Sequence, residues 1–210
     1  MPKMNSGKGP NYVSVSIPRS AAHTRFDFMV HPDVDSFLFA NRAHGELTDS
    51  LYIMDWCSDK SCSFECLAYY PTIENWSWRL LPQPPFLDDP DYRVPEYGSV
   101  AVVNGTMICV STDTATYSFD TVALKWSKVG DWVLPFLTNA EYDTELGTWL
   151  GVSLDSPNRL CAVGTSDMPT GDEACRARFY PAEELDADDC GRGEPGLKEV
   201  LRCQVLRYFG

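Results

Sequence analysis

Eight cysteines and three histidines are the residues best suited to metal or nucleophile chemistry in this chain of 210 residues. Cys57, Cys62 and Cys66 form the one cluster, spaced C-x4-C-x3-C. A structural zinc site ordinarily brings two close pairs of ligands. The second pair is missing here, and Cys66 sits inside an apolar run, so the three read as small buried residues. His23, His31 and His44 all precede residue 45, and none has a metal-ligand spacing such as H-x3-H. There is no G-x-S-x-G, no phosphate-binding P-loop and no G-x-G-x-x-G. The glycines Gly191, Gly193 and Gly196 read as a flexible loop, since no strand leads directly into them. A hydrolase would need two carboxylates in one pocket. Asp120, Asp131, Glu141 and Asp143 stand beside aromatic residues and are the candidates. Asp120 and Asp143 have a plainer role, holding a turn by bonding the backbone ahead, and Asp131 after Gly130 also fits a turn. Glu141 has no such role. The expectation is no catalytic residue, no metal and no cofactor.

The net charge of −13 argues against a nucleic-acid or anionic-membrane partner, because both demand a basic face. Residues 1–11 are polar and contain no secretory apolar core. No stretch approaches the ~18 apolar residues of a membrane span. A cytoplasmic or nuclear protein with reduced thiols is therefore expected. The sequons at Asn75 and Asn104 then read as chance matches. The acidic run from Glu183 to Asp189 reads as a solvated loop.

The elements that must carry these residues are strands. Val13, Val15 and Ile17 alternate with serines, Phe26, Phe28 and Val30 repeat the pattern, and Leu51 to Met54 is a short buried run. Ala101–Val103 and Thr106–Val110 flank Asn104-Gly105, a pair suited to the positive-φ positions of a two-residue type I′ turn, which predicts a tight hairpin. Further strands are expected over 116–120, 125–129, 148–153, 160–164 and 177–180. No amphipathic helix of ten or more residues is visible. Pro82, Pro84, Pro85, Pro90 and Pro95 mark a long connection between two strand groups. The chain thus divides into N-terminal strands and turns (1–48), a repeat core (49–166), and an acidic loop with C-terminal strands (167–210).

The core contains an internal repeat. Tyr69 to Trp76 aligns without a gap on Phe119 to Trp126, and Tyr142 to Trp149 is a third copy. Each copy is an aromatic residue, a turn shaped by Asp or Pro, and a Trp seven positions later that packs in the next strand. Trp76 and Trp126 lie 50 positions apart, near the ~50-residue period of a kelch blade. Trp149 follows after only 23 more, so the array is irregular.

Several segments then resemble a known family. They are Ser50 to Asp55, Phe64 to Leu67, Trp76-Ser-Trp78, Leu81 to Phe86, Thr116 to Thr121, Trp126 to Trp132, Leu134-Pro-Phe136, Ala140 to Tyr142, Trp149 to Ser153 and Leu160 to Ala162. In this order they are similar to the grass-expanded, kelch-like plant family catalogued as domain of unknown function 1668. The resemblance covers roughly residues 50–163. It implies an all-β, kelch-like β-propeller. Members are typically longer, so this shortened chain is expected to be small or incomplete, with three to four blades. The family brings no reaction and no cofactor. Two functions follow as expectations: an interaction scaffold with a protein partner and a tendency to self-associate through open sheet edges, or a carbohydrate- or small-molecule-binding protein, possibly hydrolytic. A shortened relic without independent function is the bland alternative. A stacking platform for sugars would need exposed aromatics, whereas Trp126, Trp132 and Trp149 are expected in the core.

Overall fold

A computed structural model describes residues 2–9, 11–19, 23, 49–56, 63–70, 75–145, 147–155 and 160–164. The runs expected as strands over 26–30 and 177–180 lie outside these residues, as do the N-terminal stretch 24–48 and the acidic loop. The described chain is all-β, with eleven strands and one 3-10 turn. The strands are β1 (Tyr12–Ile17), β2 (Ser50–Asp55), β3 (Phe64–Tyr70), β4 (Asn75–Leu80), β5 (Ser99–Val103), β6 (Met107–Ser111), β7 (Thr116–Asp120), β8 (Lys125–Gly130), β9 (Asn139–Asp143), β10 (Thr148–Val152) and β11 (Leu160–Gly164).

They fall into two sheets. The first is a four-stranded antiparallel meander in the order β1-β2-β3-β4. The second has seven strands in the order β11-β10-β9-β5-β6-β7-β8. It joins a second antiparallel meander, β5 to β8, to a three-stranded one, β9 to β11. The junction is the parallel pair β5–β9, with Val100 opposite Asn139 and Ala101 opposite Ala140. Among the described residues neither sheet closes on itself.

The alternation of side chains explains where the core sits. Tyr52 and Met54 on β2, with Phe64, Cys66, Ala68 and Tyr70 on β3, point into one cluster with Val100, Ile108, Val110, Tyr117 and Phe119 of the second meander. A second cluster packs Ala101, Val103 and Cys109 against Leu134, Phe136, Ala140, Trp149 and Cys161. Each meander therefore buries one face against the next.

The proline-rich connection carries a 3-10 turn, Pro85–Asp88. Proline suits this place, because it starts a helical turn without needing its missing N–H. The turn drives Phe86 into the first cluster, only 2% exposed. Its ring meets Trp56 at 5.7 Å, Tyr92 at 5.0 Å, Tyr117 at 5.3 Å and Trp126 at 6.4 Å. The connection is thus part of the core and binds both sheets together.

The Asn104-Gly105 hairpin forms, with one correction. Both residues have positive φ, 53° and 68°, and Thr106 N–H donates to Val103 O at 3.3 Å. The register, however, sets Val103 opposite Met107, so the loop has three residues, not two. The cause is tertiary. Thr106 O turns away from its own hairpin and accepts from the backbone N–H of Thr121 at 3.0 Å and from its hydroxyl at 2.7 Å.

Candidate functional site

The repeat residues come together as three cross-strand pairs. Tyr69 faces Trp76 between β3 and β4, Phe119 faces Trp126 between β7 and β8, and Tyr142 faces Trp149 between β9 and β10. Ring centroids are 5.8, 5.1 and 5.0 Å apart. The second and third turns share their construction. Asp120 Oδ1 accepts from the N–H of Val122 and Ala123, at 2.8 and 2.9 Å. Asp143 Oδ1 accepts from Glu145 N–H at 2.9 Å. Four residues after each Asp the backbone turns left-handed, at Leu124 (φ 53°) and at Gly147 (φ 62°). Leucine tolerates this conformation poorly; its side chain is held by packing on the first core cluster.

The pairs differ in exposure, which decides what they can do. Phe119 and Trp149 are buried, Tyr142 is 41% exposed, and Tyr69, Trp76 and Trp126 are half-buried. Trp126 is therefore not a fully enclosed core residue. It bridges Phe64 and Phe119 at 5.5 and 5.1 Å, and its indole N–H donates to Pro82 O at 2.9 Å. Trp132 is half-buried against the second cluster. No two of the repeat pairs share a strand.

The four candidate carboxylates stand on separate supports. Asp120 and Asp143 sit in their turns. Asp131 is exposed and pairs with Lys128 at 2.5 Å. Glu141 is exposed on β9, opposite Leu150. Among the described residues no three His, Cys, Asp or Glu side chains gather closely enough to hold a metal ion. Cys57 and Cys62 lie outside the described residues.

The described cysteines, Cys66, Cys109 and Cys161, are free and buried. Burial pushes the Cys109 thiol up to about 12. Burial and the nearby Asp155 push Cys161 up to about 11. Cys66 is also raised by burial, although Arg79 and a hydrogen bond to Tyr52 pull the other way. A nucleophilic cysteine needs a depressed pKa, so these three are poor nucleophiles. His23 is buried, with Nε2 3.0 Å from Thr121 Oγ1.

One ionised group missed at the sequence level is fully enclosed. Glu65 on β3 is 0% exposed. Its Oε2 accepts from the backbone and side-chain nitrogens of Asn5, at 3.0 and 2.9 Å. Its Oε1 accepts from Ser6 N–H at 3.2 Å, Ser6 Oγ at 2.6 Å and Lys8 Nζ at 2.5 Å. Burial alone would push this carboxyl up, but the bonds from Lys8, Ser6 and Asn5 outweigh it and hold it at about 2. A glutamate inside an apolar run is the signal that was available, since such a residue requires partners; nothing in the sequence points to residues 5–8 as those partners.

The family model for a protein of unknown function, DUF1668, matches residues 1–191. The chain belongs to this family. No curated protein and no solved structure matches it at a significant level. The DUF1668 match runs beyond residues 50–163 on both sides, so the segment that wraps Glu65 belongs to the family region as well. No helix among the described residues is long and apolar enough to cross a membrane.

Proposed function

We infer that this DUF1668 chain is a non-enzymatic, kelch-like propeller scaffold that binds a protein partner inside a plant cell, in cytoplasm or nucleus. The single observation that carries the reading is the arrangement of the three meanders. Each begins with a strand, β1, β5 or β9, that meets its counterpart in another meander. β5 and β9 pair in parallel, β1 approaches β5, and Asn139 Nδ2 on β9 donates to Ser14 O on β1 at 3.0 Å. Side-by-side inner strands with a meander radiating from each are the construction of propeller blades. Faces packed blade on blade leave edges and loops as the surfaces open to a partner. Open edges present unpaired N–H and C=O groups, which favour association. The raised thiols and the Asp residues used in turns support a structural role for the groups that chemistry would otherwise claim.

The experiment is purification of the tagged full-length chain from plant tissue, with hydrogen exchange on the purified complex. The reading expects a stoichiometric protein partner and new protection along a sheet edge such as β4 or β8. A monomer that binds a defined glycan on an array, and protects no edge, overturns it in favour of carbohydrate binding.

A further inference from the structure

Residues 2–9 cross the end of the first sheet before the chain enters β1, touching its strands one after another. Trp78 Nε1 on β4 donates to Pro2 O at 3.2 Å. Asn5, Ser6 and Lys8 bind Glu65 on β3, and Lys8 Nζ also donates to Ser63 Oγ just before that strand. Gly9 N–H donates to Asp55 Oδ2 at the end of β2, at 3.2 Å, and Trp56 N–H donates to Asn11 O at 2.9 Å.

Two features set this segment apart from the rest of the fold. First, each of these fastenings is polar, and no described residue before Val13 belongs to either core cluster. Second, Glu65 occupies an outward position. Its neighbours Phe64 and Cys66 point into the core, so by alternation Glu65 points to the opposite face. Its carboxylate is thus enclosed by residues 5–8 and not by the core. A buried charge is ordinarily a costly thing to unpair, because removing one partner strands the other without water. Here both partners regain water if the segment lifts: Lys8 leaves with the segment and Glu65 is uncovered. The arrangement therefore opens without breaking either cluster.

We propose that residues 2–9 are a detachable strap, clasped to the first sheet by Glu65, whose release is a local conformational switch that uncovers the outer face of β3 and β4 around Trp78 and Leu80 while both sheets stay folded. The switch goes beyond the scaffold reading and does not depend on it. The strength of the clasp comes from five hydrogen bonds converging on one carboxylate, at least one of them from a cation. Such charge-assisted bonds are roughly twice as strong as neutral ones. Leu80 is already 61% exposed, and Trp78 is half-buried with its indole N–H held by the strap.

The test is amide hydrogen exchange on the full-length chain and on Glu65→Gln, Lys8→Met and the double variant. The amides of Asn5 and Ser6 donate directly to Glu65, so they report the clasp itself. Their protection is expected to fall by at least about tenfold in each single variant. Amides of β6 and β7 should keep theirs. The double variant should lose less than the sum of the two single ones, since both break the Lys8–Glu65 pair. The Trp78 indole proton should exchange faster in all three. If Asn5 and Ser6 remain protected in both single variants, Glu65 is not the clasp and the proposal fails. It fails equally if β6 and β7 exchange together with the strap, because the segment would then be an integral part of the fold. Lys8→Met keeps the experiment decisive if Glu65→Gln should misfold, since it leaves the sheet residue in place.

Discussion

Replacing Phe86 by Ala should be among the most damaging single changes in this chain. Phe86 is 2% exposed and touches four other aromatic rings, from the first sheet, the second sheet and the connection itself. Truncating a buried Phe to Ala costs ~3–5 kcal/mol, from lost transfer energy and the cavity left behind. The upper half of that range is expected, because Tyr117 is held in the β7 ladder and Trp56, just after β2, is tied by its N–H to Asn11 O, so neither can collapse into the space. Domains are stable by only ~5–15 kcal/mol, so the loss is a large share of the total. For a chain of this size each kcal/mol shifts the midpoint by ~2–4 °C, which places Phe86→Ala about 8–20 °C below the wild type. Equilibrium urea unfolding followed by tryptophan fluorescence measures the loss directly, with thermal melting as a second readout. Trp126→Ala serves as the internal comparison. Trp126 is half-buried, so about 1.5–3 kcal/mol is expected from its lost contacts and its bond to Pro82. A loss below about 1 kcal/mol for Phe86→Ala would refute the claim that the connection is part of the core. A larger loss for Trp126→Ala than for Phe86→Ala would refute the ranking.

Gly151→Ala should destabilise by about 1–3 kcal/mol, since its new Cβ would meet Phe136 Cδ1 at 2.7 Å, and Phe136 is fully buried; an unchanged melting temperature would contradict the packing. Asp120→Ala should cost about 1–2 kcal/mol by freeing two turn N–H groups, with Asp120→Asn recovering most of it, and chemical denaturation of the three proteins decides. Cys66, Cys109 and Cys161 should resist a thiol reagent at pH 8 in the native state and react once unfolded; alkylation mapped by mass spectrometry would expose the error if any of them reacts natively. Acid should loosen the strap. The folded Glu65 pKa, about 2, lies below its ordinary 4.5, so its contribution is complete above about pH 4.5 and fades as pH falls toward 2. Lys8 bonds the carboxylate directly, Asp55 on β2 accepts from Gly9, and β4 faces Glu65 with the uncharged Leu80. Exchange at the Asn5 amide measured between pH 5 and pH 2.5 tests the direction.

Much of the architecture was legible because it rests on local rules. Period-two alternation marks β1, a short apolar run marks β2, and the aromatic-to-Trp spacing of seven marks the hairpins, since a four-residue loop at that spacing sets the two rings directly opposite one another. The propensity of Asn-Gly for positive φ is equally local. Asp at the head of a turn needs only the next few N–H groups.

What only the tertiary structure decided are matters of contact across long stretches of chain. The hairpin at Asn104-Gly105 gained a third loop residue because Thr106 O was taken by Thr121, fifteen positions on. Period and turn chemistry carry no information about such a competitor. Phe86 reads as one apolar residue in a proline-rich linker, and only the approach of two sheets makes it a plug. Trp126 and Trp149 occupy the same place in the repeat, yet one is half-buried and the other buried, because exposure depends on which meander packs on that face. Glu65 is the clearest case. By sequence it is an acid in the wrong place, and its meaning comes from residues 57 to 60 positions earlier that satisfy it. A strand's alternation tells which way a side chain points; which partner meets it there is settled by the path of the rest of the chain.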